Sequence, residues 1–514
     1  MNGARSLVET LIQSGVDTCF ANPGTSEMHF VAALDQSPGM HCVLGLQENI
    51  VTGMADGYFR MARKPACTLL HCGPGLANGL GNLHNARRAR SGIVNIVGDQ
   101  ATYHRPHDAP LTADTNALAR TVSAWVHTST EAAHVGRDGA AAVAAARQYP
   151  GQVATLILPS DASWNDGGLI AAAVAPTPPA PLDAGALETA ARILREGGDK
   201  VLLLLAGHAI LEEGQQLAWQ IAQATGAGIM IDYVTGHVAR GRGRAPLTRV
   251  PYPMDQAIAA LSRYEAIILV SAKAPVGFFG YPDMPSIQYP PQARLHTLCR
   301  KDQDSVAALH ALADALGAPR VAMPDPGPRP EPVRGAPSPE GLATTLAALM
   351  PENAIVCDES ISYGRGLYPY TFTAPAHDWL HLAGGAIGDG LPVATGAAIG
   401  ADRQRRVISL QADGSAMYSL QSLWTQARER LPVTTILLNN NSYNILLGEY
   451  RNVGATPGQS AMNMLDLQNP GLSWVKLAQG MGVDAARAET LDECADLMRA
   501  SFGQQAPFVI ELMI

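Results

Sequence analysis

Ala412-Asp413-Gly414-Ser415 and Asn439-Asn440-Asn441-Ser442 decide the reading of this 514-residue chain. The runs Arg406–Gln411 and Thr434–Leu438 read as strands leading into these two anchors. Asp413 and Asn440 then stand at two strand ends, 27 positions apart (440 − 413). In a parallel sheet such ends are neighbours, and the loops beyond them are the usual ligand sites. A carboxylate, an amide oxygen and a backbone carbonyl form a hard-oxygen set. It suits Mg²⁺ when the ion also holds a diphosphate. Asp-Gly and Asn-Asn are equally ordinary turn formers, so the anchors gain meaning from the rest of the chain.

Outward from the anchors, short apolar runs alternate with helical patterns. Strands are expected at Thr18–Ala21, Cys42–Gly45, Ala66–His71, Ile93–Gly98 and Ala154–Pro159. A second set is expected at Val201–Ala206, Ala227–Asp232, Ala266–Ser271 and Arg294–Cys299. A third falls at Ala354–Cys357, Trp379–Leu382, Arg406–Gln411, Thr434–Asn439 and Phe508–Met513. Pro-rich connectors at Ala171–Ala184 and Met323–Pro339 separate the sets. The reading is therefore α/β, with three doubly wound, mostly parallel-sheet domains over 1–170, 185–322 and 338–514. Apolar residues make up 47% of the chain and aromatics only 5%, which suits tight α/β layers. The net charge is −9 without a basic run, which argues against nucleic acid or an anionic membrane as partner. Seven scattered cysteines, with no CxxC, read as free thiols. Met1–Gly15 reads as an amphipathic helix rather than a signal peptide, and the expected location is cytoplasmic.

Four further stretches carry chemistry. Asn22-Pro23-Gly24-Thr25 follows a strand. Glu48 opens an otherwise apolar helix, either as a first-turn carboxylate favoured by the helix dipole or as a buried acid bonded to a ligand nitrogen. His71-Cys72-Gly73-Pro74-Gly75 reads as a Gly-rich turn that lets backbone approach a ligand, with His71 as the acid/base of neutral pH. His104-Arg105-Pro106-His107 has the HxxH form but no further ligands at metal-site spacing. In the third set, Asp358-Glu359-Ser360-Ile361-Ser362 offers hydroxyls and N–H groups to phosphate. Gly384-Gly385-Ala386-Ile387-Gly388 forms a Gly-rich turn with one bulky aliphatic. No G-x-G-x-x-G with a downstream ribose carboxylate is present, which argues against a nicotinamide enzyme.

Taken together, these residues resemble the thiamine-diphosphate-dependent 2-oxoacid decarboxylase and acetolactate synthase family over nearly the whole chain. The benzoylformate decarboxylase pattern is especially similar, at Asn22-Pro23-Gly24, Leu46-Gln47-Glu48, Leu70-His71, Glu359-Ser360 and Asn439-Asn440. The resemblance implies a pyrimidine-binding, a central and a diphosphate-binding domain in that order. It implies that Asp413, Asn440 and the carbonyl of Ser442 hold Mg²⁺. Gly414, Ser415 and Ser362 would meet the diphosphate, and Ile387 would bend the cofactor. The Gly385 carbonyl would accept from its amino group. Glu48, reaching across a homodimer or homotetramer interface, would bond the pyrimidine. His71 would handle protons, Thr25 would face the substrate carboxylate, and Leu446 would line an apolar site. FAD is not expected, since Val201–Pro319 shows no dinucleotide signature. The implied activity makes or breaks a C–C bond next to the carbonyl of a small-molecule 2-oxoacid. Decarboxylation and carboligation both stay open at this point. The alternative is a cofactor-binding regulatory or assembly subunit without turnover.

Two departures stand out. The family's Gly-Asp-Gly reads Ala412-Asp413-Gly414 here, which is tolerable only with negative φ at Ala412. The second active-site histidine of benzoylformate decarboxylase would fall near Pro275–Tyr281, which holds no histidine. His104 or His107 could take its place.

Overall fold

The computed structural model describes all 514 residues. Three sheets form in chain order, each flanked by helices. In the first, His41–Leu44, Thr18–Ala21, Ala66–Leu70, Ile93–Asp99, Val153–Pro159 and Trp125–Thr128 lie side by side, all parallel. In the second the order is Thr248–Arg249, Gly228–Ile231, Val201–Leu205, Ala266–Val270 and Arg294–Cys299, again parallel. The third runs Asp484–Ala488, Phe508–Met513, Val433–Asn439, Val407–Ala412, Ile355–Glu359 and His377–His381. Its edge is closed by His237–Arg240, a strand lent antiparallel by the central segment.

The strands expected from apolar runs are all present. The unexpected ones, among them Trp125–Thr128, Asp484–Ala488 and His237–Arg240, have no continuous apolar run. The Pro-rich stretches 171–179 and 323–337 carry no helix or strand, as fixed φ and missing N–H donors dictate. No helix is long and apolar enough to cross a membrane.

Two cores tie the segments together. Ile50, Met54 and Tyr58 pack with Val393, Ala397 and Leu380, joining the first segment to the third. Leu203 and Val270 share a second core with Leu346, Trp379 and Ile436, joining the central segment to the third. The first junction is a close crossing of helices Glu48–Ala62 and Gly390–Gly400. A Cβ on Gly57 would come within 2.1 Å of the Val393 carbonyl, and one on Gly396 within 1.9 Å of the Met54 carbonyl. Only glycine permits that approach. Beside it the buried Arg60 pairs with Asp56 at 2.5 Å and donates to the His381 carbonyl at 2.8 Å. The helix that begins with Glu48 is thereby fixed against the third sheet.

Candidate active site

Ala412 pairs with Leu438 across adjacent parallel strands, so the chain leaves the sheet at neighbouring points. Immediately beyond, Asp413 opens a one-turn helix, Asp413–Ala416. Ala412 takes φ −79°, so its methyl costs nothing. Asp413 is 2% exposed. Its Oδ1 accepts from the Gly414 N–H at 2.9 Å, while Oδ2 is buried without a partner. Burial pushes this carboxyl above its ordinary range, and the N–H groups of Gly414, Asn441 and Ser442 pull it back. On the facing turn, the Asn440 amide oxygen accepts from the Ser442 N–H at 3.0 Å. Asn441 adopts φ +53°, which reverses the chain there. Its carbonyl accepts from Leu467 at 2.9 Å, and Ser442 bridges to Asp466. Asp413, Gly414, Ser415, Asn440 and Ser442 thus gather at one pair of strand ends.

The Gly-rich turn is built by a residue to which sequence reading gave no role. Glu359 ends strand Ile355–Glu359 and is 1% exposed. Its two oxygens accept from the N–H groups of Gly388 (2.6 Å), Asp389 (3.3 Å) and Gly390 (2.8 Å), and from Gln411 Nε2 (2.8 Å). The same Gln411 nitrogen lies 2.7 Å from Ser415 Oγ. One hydrogen-bonded chain therefore links the Gly-rich turn to the Asp413 helix. Burial raises the Glu359 carboxyl, opposed by its four donors. Gly385 takes φ +80°, and the ring of Phe278 packs over it. Asn85 and His84 hold the turn from behind, through Ala386 and the Gly384 carbonyl. Ile387 is half-buried in the turn, and Ser362 is half-buried on the short helix Ile361–Gly364. Leu446 is exposed on helix Asn444–Asn452.

In the first segment the Gly-Pro-Gly sequence is not a free turn. It forms the first turn of an 18-residue helix, Cys72–Ala89. The local reason lies opposite it. A Cβ on Gly75 would meet Glu48 Oε1 at 3.1 Å, so the helix start can lie against that carboxylate. Glu48 is 8% exposed, and its Oε2 accepts from Asn78 Nδ2 at 3.0 Å. Close by, a cavity of about 380 Å³ is lined by Thr25, Ser26, His71, Cys72, Gln100 and His104 among others, all between residues 25 and 164. His71 Nδ1 lies 2.9 Å from Glu27 Oε2. Glu27, 3% exposed, also accepts from the Gly24 N–H at 2.8 Å and from Ser26. Glu27 escaped the sequence reading because it sits in a turn without periodicity. Its position beside Asn22-Pro23-Gly24-Thr25 was the available signal. His107 is exposed on a 3-10 turn and does not line the cavity, whereas His104 does.

Residues 1–118 match the model described as thiamine pyrophosphate enzyme, N-terminal TPP binding domain, and residues 365–512 match its C-terminal TPP binding domain counterpart. A Mycobacterium tuberculosis protein, provisionally named acetolactate synthase large subunit IlvX, is 47% identical over 100% of this chain and 99% of its own length. The chain belongs to the thiamine-diphosphate-dependent enzymes. Benzoylformate decarboxylase of Pseudomonas aeruginosa is 28% identical to this enzyme, over 98% of the chain and 97% of the relative. Among solved structures, the 4-hydroxybenzoylformate decarboxylase of Rhodococcus jostii RHA1 superposes with TM-score 0.84 at 25% identity, covering 99% of this chain and 98% of the other.

The oxygen donors gathered at Asp413 and Asn440 have the chemistry of a hard-cation site. A buried carboxylate oxygen without a partner is costly in isolation, and the unpartnered Asp413 Oδ2 stands where a cation would satisfy it. The Asn440 amide oxygen keeps a second lone pair beyond its bond to Ser442. A Cβ on Gly414 would come within 2.6 Å of the Tyr443 ring, so the turn is as narrow as its backbone allows.

Proposed function

We propose that the enzyme, with thiamine diphosphate and Mg²⁺ bound, decarboxylates a 2-oxoacid and releases the shortened product as an aldehyde. The observation that carries this reading is the Glu27–His71 pair, in which a buried carboxylate holds the imidazole that lines the 380 Å³ cavity. Bound thiamine diphosphate would supply the electron sink that takes up the electron pair left on carbon when CO₂ departs. Asp413, Asn440 and the Ser442 carbonyl would hold the metal. Gly414, Ser415 and Ser362 would meet the diphosphate, with Ile387 and the Gly385 carbonyl on the pyrimidine side. Glu48, already oriented by Asn78, would hold a proton at the pyrimidine ring. The Thr25 hydroxyl would donate to the substrate carboxylate. With Nδ1–H directed at Glu27, His71 keeps Nε2 for moving a proton to or from the product.

The cavity is lined by first-segment residues alone, whereas the metal anchor lies in the third segment. This arrangement supports a site completed by a second copy, in a homodimer or homotetramer. All seven cysteines are free, which supports a reducing, cytoplasmic setting.

Carboligation, in which the carbon left after CO₂ loss bonds to a second carbonyl carbon instead of taking up a proton, is the second reading. Phe278 favours it, because an apolar ring covers Gly385 in the stretch where the benzoylformate decarboxylase pattern would place an imidazole. So does the provisional name of the 47% identical relative. A panel of 2-oxoacids scored for CO₂, aldehyde and ligated hydroxyketone separates the two. Aldehyde in step with CO₂ supports the first, and CO₂ with ligated product supports the second. Absence of CO₂ from every member supports a subunit without turnover.

A further inference from the structure

We propose that a cleft between the first and central segments is a binding site for a phosphate-class oxyanion. Sixteen residues line it and none is acidic; Arg63, Arg88, Arg90, His208, His237 and Thr235 are among its polar residues, and Arg60, already paired with Asp56, lies at its wall. The cavity measures about 40 Å³. A water molecule needs about 10–15 Å³ on this scale, so the space takes one tetrahedral oxyanion and leaves the rest of any larger ligand outside.

Neither Arg63 nor Arg88 is paired with a carboxylate within 4.0 Å. Arg63 instead donates to His237 Nδ1 at 2.8 Å, and His237 Nε2 is turned away to Asp378 at 2.5 Å. Arg90 donates to the Ser271 hydroxyl at 2.6 Å and to its carbonyl. Burial lowers both Arg63 and Arg90, opposed chiefly by the charges of Asp378 and Asp232 respectively. Burial, and next the charge of Arg63, push His208 down to about 4, so the imidazole adds no cation of its own near neutral pH. Thr235 lines the same cleft and is 2% exposed, and its buried hydroxyl has no hydrogen-bond partner. Guanidiniums without a carboxylate partner and an unsatisfied hydroxyl match an oxyanion, which accepts from both.

The fold also sets the ligand's size. Strands Val201–Leu205 and Ala266–Val270 are neighbours whose next partners lie on opposite sides, so the sheet order reverses between them. Open α/β sheets take nucleotides in that crevice. Here Arg90 occupies it, bonded to Ser271 and 2.9 Å from where a Cβ on Gly207 would stand. A dinucleotide lying across these strand ends would have to displace Arg90, whereas a single anion sits beside it.

This site does not depend on the reaction assigned above. The test uses full-length enzyme with thiamine diphosphate and Mg²⁺ in excess, so that the diphosphate anchor does not compete for the probe. Inorganic phosphate is titrated at constant ionic strength against chloride, followed by calorimetry and melting temperature. Saturable binding with a rise in melting temperature is expected. Arg63→Ala/Arg88→Ala should weaken it by about tenfold or more, the loss of two charge-assisted bonds, with turnover unchanged. Thr235→Val, which keeps shape but removes the hydroxyl, should weaken it by several-fold, and it stands in should the double variant fold poorly. ADP competing with phosphate and binding tighter assigns the site to a nucleotide's terminal phosphoryl group; ADP binding no tighter assigns it to free phosphate. No phosphate binding, or equal binding by wild type and both variants, overturns the proposal.

Discussion

Glu27 Oε2 lies 2.9 Å from His71 Nδ1, with the carboxylate 3% exposed. That bond fixes which ring nitrogen carries the proton on the Glu27 side and keeps the other for the cavity. His71→Ala should lower kcat by a factor on the order of 100 or more, as loss of a positioned acid/base does. Glu27→Gln keeps one acceptor for Nδ1–H but removes the charge, and should cost about tenfold. Steady-state aldehyde formation measures both. Equal activity of His71→Ala and wild type would remove the imidazole from the reaction.

Glu359 accepts from three consecutive N–H groups of the Gly-rich turn and from Gln411. Glu359→Gln sets an amide NH₂ against donors that had an acceptor. Each lost bond to a charged group is worth about 1.5–3 kcal/mol. The variant should unfold at lower urea, and the stabilisation conferred by added thiamine diphosphate and Mg²⁺ should shrink with it, because the turn and the Asp413 helix share Gln411. Cofactor-induced melting shifts equal to wild type would contradict the link.

His377 is 3% exposed, with Nδ1 2.7 Å from the Pro375 carbonyl, and burial pushes it down to about 3. The unfolded chain protonates this group near 6.5 and the folded one does not, so the unfolded state binds more protons as pH falls. Stability from this group is whole above about 6.5 and is lost progressively towards 3, by about 2 kcal/mol at pH 5. His208 acts in the same direction down to about 4. Urea midpoints between pH 7 and pH 5 should fall, and His377→Asn should flatten the slope. Parallel slopes for the two proteins would refute the assignment.

Glu48 sits at the start of its helix with Oε2 bonded to Asn78. Glu48→Gln should leave the fold intact by circular dichroism and cut turnover by a factor on the order of 100 or more. Near-wild-type kinetics would remove Glu48 from the chemistry.

The fold was legible because buried parallel strands are continuous apolar runs ending in recognisable turns. Val407–Ala412 and Val433–Asn439 show this, and their shared end places Asp413 near Asn440. Half-exposed edge strands such as Trp125–Thr128 have no such run. His237–Arg240 could not be assigned to the third sheet, because its partner His377–His381 lies well over a hundred positions away. The Gly-Pro-Gly stretch reads as a turn from local propensity, yet forms a helix start whose Gly75 lies against the Glu48 carboxylate. Glu27 and Glu359 act through backbone N–H groups that leave no side-chain pattern in sequence. Phe278 reaches Gly385 from the central segment, a contact only the tertiary fold creates.

Asp413, with its unpartnered buried oxygen, is proposed to hold the metal that fixes the cofactor. The direct measurement is thiamine diphosphate retained through gel filtration, per protein chain, in Mg²⁺ and in chelator. Wild type should retain it in Mg²⁺ and lose it in chelator, and Asp413→Ala should lose it in both. Equal retention by the variant, or by chelated wild type, would contradict the account.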